Sequence, residues 1–81
     1  MPHVIIKLWP GRTEEQKLQL TERIVKAFME SMSVPETSVS VAFEEIPSER
    51  WAKEVYKPDI VEKERTLYKK PGYKPSEDEL L

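Results

Sequence analysis

A chain of 81 residues and 9.5 kDa holds one small core and excludes a second, because at this size only roughly 60–65% of the unfolded surface is buried. Hydrophobic residues supply 38% and charged residues 35%, and 15 acids against 13 bases leave a net charge of −2. That balance excludes a disordered chain of strong net charge and a bulk electrostatic attraction to nucleic acid.

Cysteine is absent and His3 is the single histidine, so disulfides, thiolate catalysis and thiolate or histidine metal clusters are all excluded. No apolar run approaches the roughly 20 residues of a membrane span, and the first 20 residues lack a basic-then-apolar signal pattern. A cytoplasmic protein with no membrane partner is expected. Small domains with neither disulfide nor metal commonly gain stability by associating.

Residues 3–9, His-Val-Ile-Ile-Lys-Leu-Trp, predict a first strand with Val4, Ile6 and Leu8 on one face and Ile5 and Trp9 on the other. Apolar residues on both faces imply a strand covered on both sides. Pro10-Gly11 is a turn signal, and Thr13-Glu14-Glu15-Gln16 has the spacing of a helix capping box with two carboxylates in the first turn. Leu18, Thr21, Val25, Phe28 and Met32, joined by Leu20 and Ile24, recur at helical spacing to about Ser33, where Val34-Pro35 stops the helix. Alternation resumes over 38–46, with Val39, Val41 and Phe43 on one face and Ser40, Ala42 and Glu44 on the other.

Strand, 20-residue helix and strand make one βαβ unit with parallel strands and a right-handed crossover. Two strands alone are a marginal sheet, and one helix covers only one of its faces. Oligomerisation is expected to complete the sheet. Beyond Pro47, Trp51, Val55 and Tyr56 fit one helical turn. Pro58 either opens a second helix running through Ile60, Val61, Arg65 and Leu67 or kinks one continuous helix. Lys70-Pro71-Gly72-Tyr73 reads as a turn and Ser76-Glu77-Asp78-Glu79 as a mobile polar tail. The expected fold is α+β, a single domain over 2–73 with a polar tail over 74–81.

The usual nucleophile and metal constellations are missing, which turns attention to the N-terminus. Initiator methionine is generally removed before a residue as small as proline, leaving Pro2 as a free secondary amine. An α-amino group titrates near 8 in model peptides. Apolar surroundings and a nearby guanidinium disfavour its protonated form, freeing the lone pair a general base needs. Pro2 leads straight into a strand and is therefore held on rigid scaffold. Arg12 lies in the turn where the strand hands over to the helix, a favoured position for ligands in α/β units. It sits at the opposite end of the strand from Pro2, so the two share a pocket only across a subunit boundary or by a long reach. Trp51 either walls an apolar pocket or closes the core. His3 is read as surface or interface, and Tyr56, Tyr68 and Tyr73 as donors of unfixed geometry.

Pro2 with its strand, Gly11-Arg12-Thr13-Glu14-Glu15-Gln16-Lys17 and Pro35-Glu36-Thr37-Ser38-Val39 together resemble the 4-oxalocrotonate tautomerase family, in register without a gap from Pro2 to Trp51. Trp51 with Lys69-Lys70-Pro71-Gly72-Tyr73 looks more like the longer bacterial subfamily similar to phenylpyruvate-type tautomerases. The resemblance implies a βαβ protomer whose dimer forms a four-stranded sheet, and an enol–keto isomerase acting on a 2-hydroxydienoate or arylpyruvate enol without metal or cofactor. By position it implies Pro2 as the proton shuttle, Arg12 as the ligand of a substrate carboxylate, and Trp51 as an aromatic wall. The family's second arginine falls on Ser40, whose hydroxyl donates one hydrogen bond and no charge. An aryl or monocarboxylic 2-keto acid is therefore favoured over a dicarboxylate, with His3, Lys7 or a pocket water substituting for the arginine.

Two other readings compete with this one. A hydratase or dehalogenase of a small unsaturated acid would use protonated Pro2 and a water-activating carboxylate; the neutral Ser40 speaks against it. A non-catalytic oligomeric module would leave Pro2 frayed, whereas a catalytic Pro2 is tied down. The expected partners are a small keto or enol acid and further copies of the chain, as a homodimer with a homohexamer the alternative.

Overall fold

The computed structural model describes residues 1–81 as two compact units, Met1–Glu45 and Ile46–Leu81. In the N-terminal unit, strand β1 (His3–Leu8) is followed by helix α1 (Glu14–Met32) and strand β2 (Ser40–Glu45). The two strands pair in parallel, His3 opposite Ser40 and Leu8 opposite Glu45, which gives the expected βαβ arrangement with an open two-stranded sheet.

Local chemistry sets these boundaries. Gly11 adopts φ 121°, a conformation that side chains disfavour, and so lets the chain reverse between β1 and α1. Thr13 then caps the helix: its hydroxyl accepts from the Gln16 amide at 3.1 Å, and the Gln16 side chain accepts from the Thr13 amide at 2.9 Å. Ser33 ends α1 in the left-handed conformation at φ 55°, one residue before Val34-Pro35. The second strand starts later than its alternation suggests. Glu36–Ser38 close a 3₁₀ turn, with the Ser38 amide donating to Pro35 O and the Val39 amide to Glu36 O, both at 3.1 Å.

Register assigns Val4, Ile6, Leu8, Val41, Phe43 and Glu45 to one face of the sheet and His3, Ile5, Lys7, Ser40, Ala42 and Glu44 to the other. Lys17 of α1 donates to Glu45 at 2.9 Å and ties the first turn of the helix to the former face. The predicted apolar stripe of α1 divides in two. Thr21, Ile24, Val25 and Phe28 are half-buried, whereas Leu18, Leu20 and Met32 are exposed, as are Ile5 and Trp9 on the strand side. No residue of the N-terminal unit is buried; Ile46, Ala52 and Val55, all in the other unit, are the chain's buried apolar residues. An apolar surface of this extent left in water is the mark of an interaction site.

In the C-terminal unit, helix α2 (Ser48–Trp51) continues without a break into a π-helical stretch, Ala52–Val61, that contains Pro58. Of the two predicted arrangements, the continuous helix is the one adopted. The wider winding is one in which an amide bonds to the fifth carbonyl back, as the Glu62 amide does to Lys57 O at 3.0 Å, and Pro58 has no amide hydrogen to place. That winding relieves the clash a proline ring makes inside a regular α-helix. The helix stops at Val61, so Arg65 belongs to a separate 3₁₀ turn, Glu64–Thr66, and Leu67 follows it in extended conformation. The tail expected to be mobile forms one helical turn, α3 (Glu77–Leu80), packed against the π-helical stretch. Ser76 and Glu79 cap it reciprocally, and the backbone and side-chain hydrogen bonds from Ser76 lower the Glu79 pKa. The cap is thus held at neutral pH and released only as pH falls below the ordinary carboxylate range. No helix is long and apolar enough to cross a membrane.

Candidate active site

Pro2 enters β1 already paired: its carbonyl accepts from the Ser40 amide at 3.1 Å. Pro2 is half-buried, whereas Met1 before it is fully exposed, at 101%. The proline is therefore anchored at the head of the sheet, and the residue that blocks its nitrogen projects into solvent. The Pro2 nitrogen is three bonds from that carbonyl oxygen, which puts it within about 6–7 Å of the Ser40 amide.

The same hydrogen bond brings Ser40 to Pro2, an adjacency that spacing did not reveal because it depends on the register of a parallel pair. His3 joins them. His3 and Ser40 are register partners on one face of the sheet, both exposed, with His3 Nδ1 and Ser40 Oγ 2.5 Å apart. Lys7, the other side chain expected in place of the arginine, lies on the same face four residues along, about 13 Å away.

Arg12 sits beyond the opposite end of β1, roughly 20 Å from Pro2 within one chain. A cleft of about 240 Å³ there is lined by the apolar Leu8, Leu20 and Phe43 together with Arg12, Gln16 and Lys17. The two cations of this cleft differ. Lys17 is bound to Glu45 at 2.9 Å and lies 3.7 Å from Glu14; the Glu45 hydrogen bond above all, with the charges of Glu45 and Glu14, raises its pKa. Arg12 is exposed and pairs with no carboxylate. A planar guanidinium in a cleft that also offers apolar side chains is suited to a carboxylate that carries an apolar substituent.

Trp51 is the last residue of α2 and is half-buried. Its indole N–H donates to the Tyr73 hydroxyl at 2.7 Å, and the Tyr73 ring lies 5.6 Å from that of Tyr56 at a tilt of 48°. Lys70 donates to Glu64 at 2.7 Å nearby, so the Lys-Lys-Pro-Gly-Tyr segment is strapped to its own unit. Nothing in the spacing of Trp51 and Tyr73, 22 residues apart, announced this bond. Tyr73→Phe is expected to lower stability by about 0.5–1 kcal/mol, the net worth of one hydrogen bond, seen as a lower urea midpoint at unchanged slope.

A family model described as "Tautomerase enzyme" matches residues 2–56. Over 73 residues the chain is 38% identical to a "Probable tautomerase" of Xylella fastidiosa, covering 90% of this chain and 89% of that protein. It is 42% identical over 74 residues to "Tautomerase PptA" of Pectobacterium atrosepticum, covering 90% and 97% respectively. Among solved structures, a heterohexameric 4-oxalocrotonate tautomerase from Chloroflexus aurantiacus superposes with a TM-score of 0.60 at 28% identity, over 67% of this chain and 87% of that one. The chain belongs to the tautomerase family and shares the fold of the 4-oxalocrotonate tautomerases. It is an isomerase of the tautomerase class.

Proposed function

We propose that the chain, once Met1 is removed, is a cofactor-independent enol–keto tautomerase in which Pro2 is both general base and general acid. The Pro2 nitrogen takes the hydroxyl proton of a 2-hydroxydienoate or arylpyruvate enol and returns it to C3, leaving a carbonyl at C2. Only a proton moves, so the step asks for neither an electron carrier nor a second substrate. Arg12 holds the substrate carboxylate and Trp51 supplies an aromatic wall, its indole fixed by Tyr73. Ser40 contacts the substrate as a neutral donor, which favours a monocarboxylic arylpyruvate over a dicarboxylate. The protein works as a cytoplasmic homodimer, association covering the apolar residues that a single chain leaves exposed.

One observation carries this reading: Pro2 is tied to Ser40 through its carbonyl while Met1 is wholly exposed. A fixed backbone with an accessible blocking residue is what an amino-terminal base requires. The test is phenylenolpyruvate ketonisation, followed by ultraviolet absorbance, on Met1-bearing and Met1-free protein separated by intact mass. In the Met1-bearing chain the Pro2 nitrogen is an amide without a basic lone pair, so turnover is expected to fall at least about 100-fold. Equal, slow rates in both would move the weight to a non-catalytic oligomeric module.

A further inference from the structure

We propose that His3 and Ser40 form a hydrogen-bond relay that holds the 2-oxygen of the substrate while Pro2 carries the proton. The relay confines the enzyme to 2-keto acids with a single carboxylate. The proposal rests on Pro2 being the base and adds the partner that stabilises the reacting oxygen.

The geometry starts from the register. His3 and Ser40 open the two strands side by side, their side chains share one face, and His3 Nδ1 meets Ser40 Oγ. Both residues are exposed in the single chain, so no part of the protomer's own fold closes off the pair. The Ser40 amide is bonded to the Pro2 carbonyl, which puts it within about 6–7 Å of the proline nitrogen, with the hydroxyl three bonds further along the same residue. Two hydrogen bonds of about 2.8 Å in series span about 5.5 Å, a separation within the range that this anchor allows between the Ser40 hydroxyl and the Pro2 nitrogen.

The chemistry gives that oxygen a reason to be held. When Pro2 removes the enol proton, the O–H bond breaks, its electron pair stays on oxygen, and negative charge develops there. The charge is discharged as the C2–O bond becomes a carbonyl and the proton returns to C3. With His3 Nδ1–H donating to Ser40 Oγ, the serine hydrogen is left to point at the substrate, and each donor polarises the next. Ser40 touches the reacting oxygen. His3 acts through it and is a positioning residue.

The same arrangement sets specificity. Along this face the residues next to the pair are Ile5 and Ala42, and Lys7 and Glu44 lie about 13 Å away. Neither strand brings a lysine or an arginine to the Pro2 end, so the strands give a second carboxylate there no guanidinium or ammonium partner. The one carboxylate that is bound goes to an arginine.

The experiment uses Met1-free full-length protein and phenylenolpyruvate. Ser40→Ala is expected to lower kcat about 10–100-fold with KM within about threefold, since the lost donor acts on charge that develops in the transition state. Ser40→Thr keeps the hydroxyl and is expected within about fivefold of wild type. His3→Phe should lose about 3–10-fold in kcat, and His3→Asn, which restores an N–H donor, should recover most of it. The double variant Ser40→Ala with His3→Phe should be no slower than Ser40→Ala alone, because a relay is lost once. A 2-hydroxydienedioate should be turned over at least about tenfold less efficiently than the monocarboxylate.

Ser40→Ala within twofold of wild type, or losses that multiply in the double variant, would overturn the relay. Equal efficiency on the dicarboxylate would overturn the specificity. If Ser40→Ala fails to fold, Ser40→Cys, a weak donor of similar size, carries the same expectation. Pro2→Ala measured alongside separates the two failures: collapse there with a normal Ser40→Ala removes the relay alone, whereas wild-type rates in Pro2→Ala remove the proline base.

Discussion

Pro2→Ala, freed of Met1, is expected to lose about 10²–10⁴-fold in kcat/KM for phenylenolpyruvate ketonisation, the range a positioned acid–base group contributes. Alanine still offers an amine at the same point in the chain, so the loss tests more than the presence of nitrogen. The proline ring fixes rotation about the N–Cα bond and aims the lone pair. An alanine amine turns freely and must be ordered in each turnover. The backbone anchor survives the substitution, because the Pro2 carbonyl, and not its ring, accepts from Ser40. Wild-type and variant should therefore unfold at similar urea concentrations, and the loss should appear in the rate. In the wild type, kcat/KM should fall as pH drops below the pKa of the amine, since a protonated amine accepts nothing. A loss under about threefold would take the reaction off Pro2.

Much of the protomer was legible because its signals are local. Thr13 and Gln16 form the capping box that their spacing implied, and the strand–helix–strand order followed from a change of period between β1, α1 and β2. The failures have physical causes of two kinds. Helical spacing identifies apolar residues on α1 but does not say which of two adjacent stripes meets the sheet, so Leu18 and Met32 turned out exposed beside half-buried Ile24 and Phe28. Long-range pairings leave no periodicity at all. The register that sets Ser40 against His3 and Pro2 depends on where β2 begins, which the 3₁₀ turn at Glu36–Ser38 decides. The bond from Trp51 to Tyr73 depends on how the last segment folds back on its own unit. Arg12 and Pro2 could be placed at opposite ends of one strand from sequence alone, and that is where they lie.

This separation yields the other large expected effect. A strand of six residues between Pro2 and Arg12 spans about 20 Å, well beyond the reach of a small keto acid, so if Pro2 and Arg12 act on one molecule as proposed, they are expected to come from different protomers. Arg12→Ala should lower kcat/KM about 10–150-fold, the worth of a charge-assisted contact to a carboxylate. Arg12→Lys should recover only part of it, for want of the bidentate fork. Arg12→Ala and Pro2→Ala protein, each impaired on its own, should gain activity above their averaged rate when unfolded together at equal concentration and refolded. A working site needs an intact proline from one chain and an intact arginine from another. Random assembly grants each with a chance of one half, so about one quarter of the wild-type rate should return, whatever the number of subunits. Sedimentation of the mixture should give a dimer, twice 9.5 kDa, and a hexamer would change the assembly without changing the quarter. No recovery in a mixture shown to contain hybrids would mean that each site is built within one chain, and Arg12 would then have to be replaced as the carboxylate's partner.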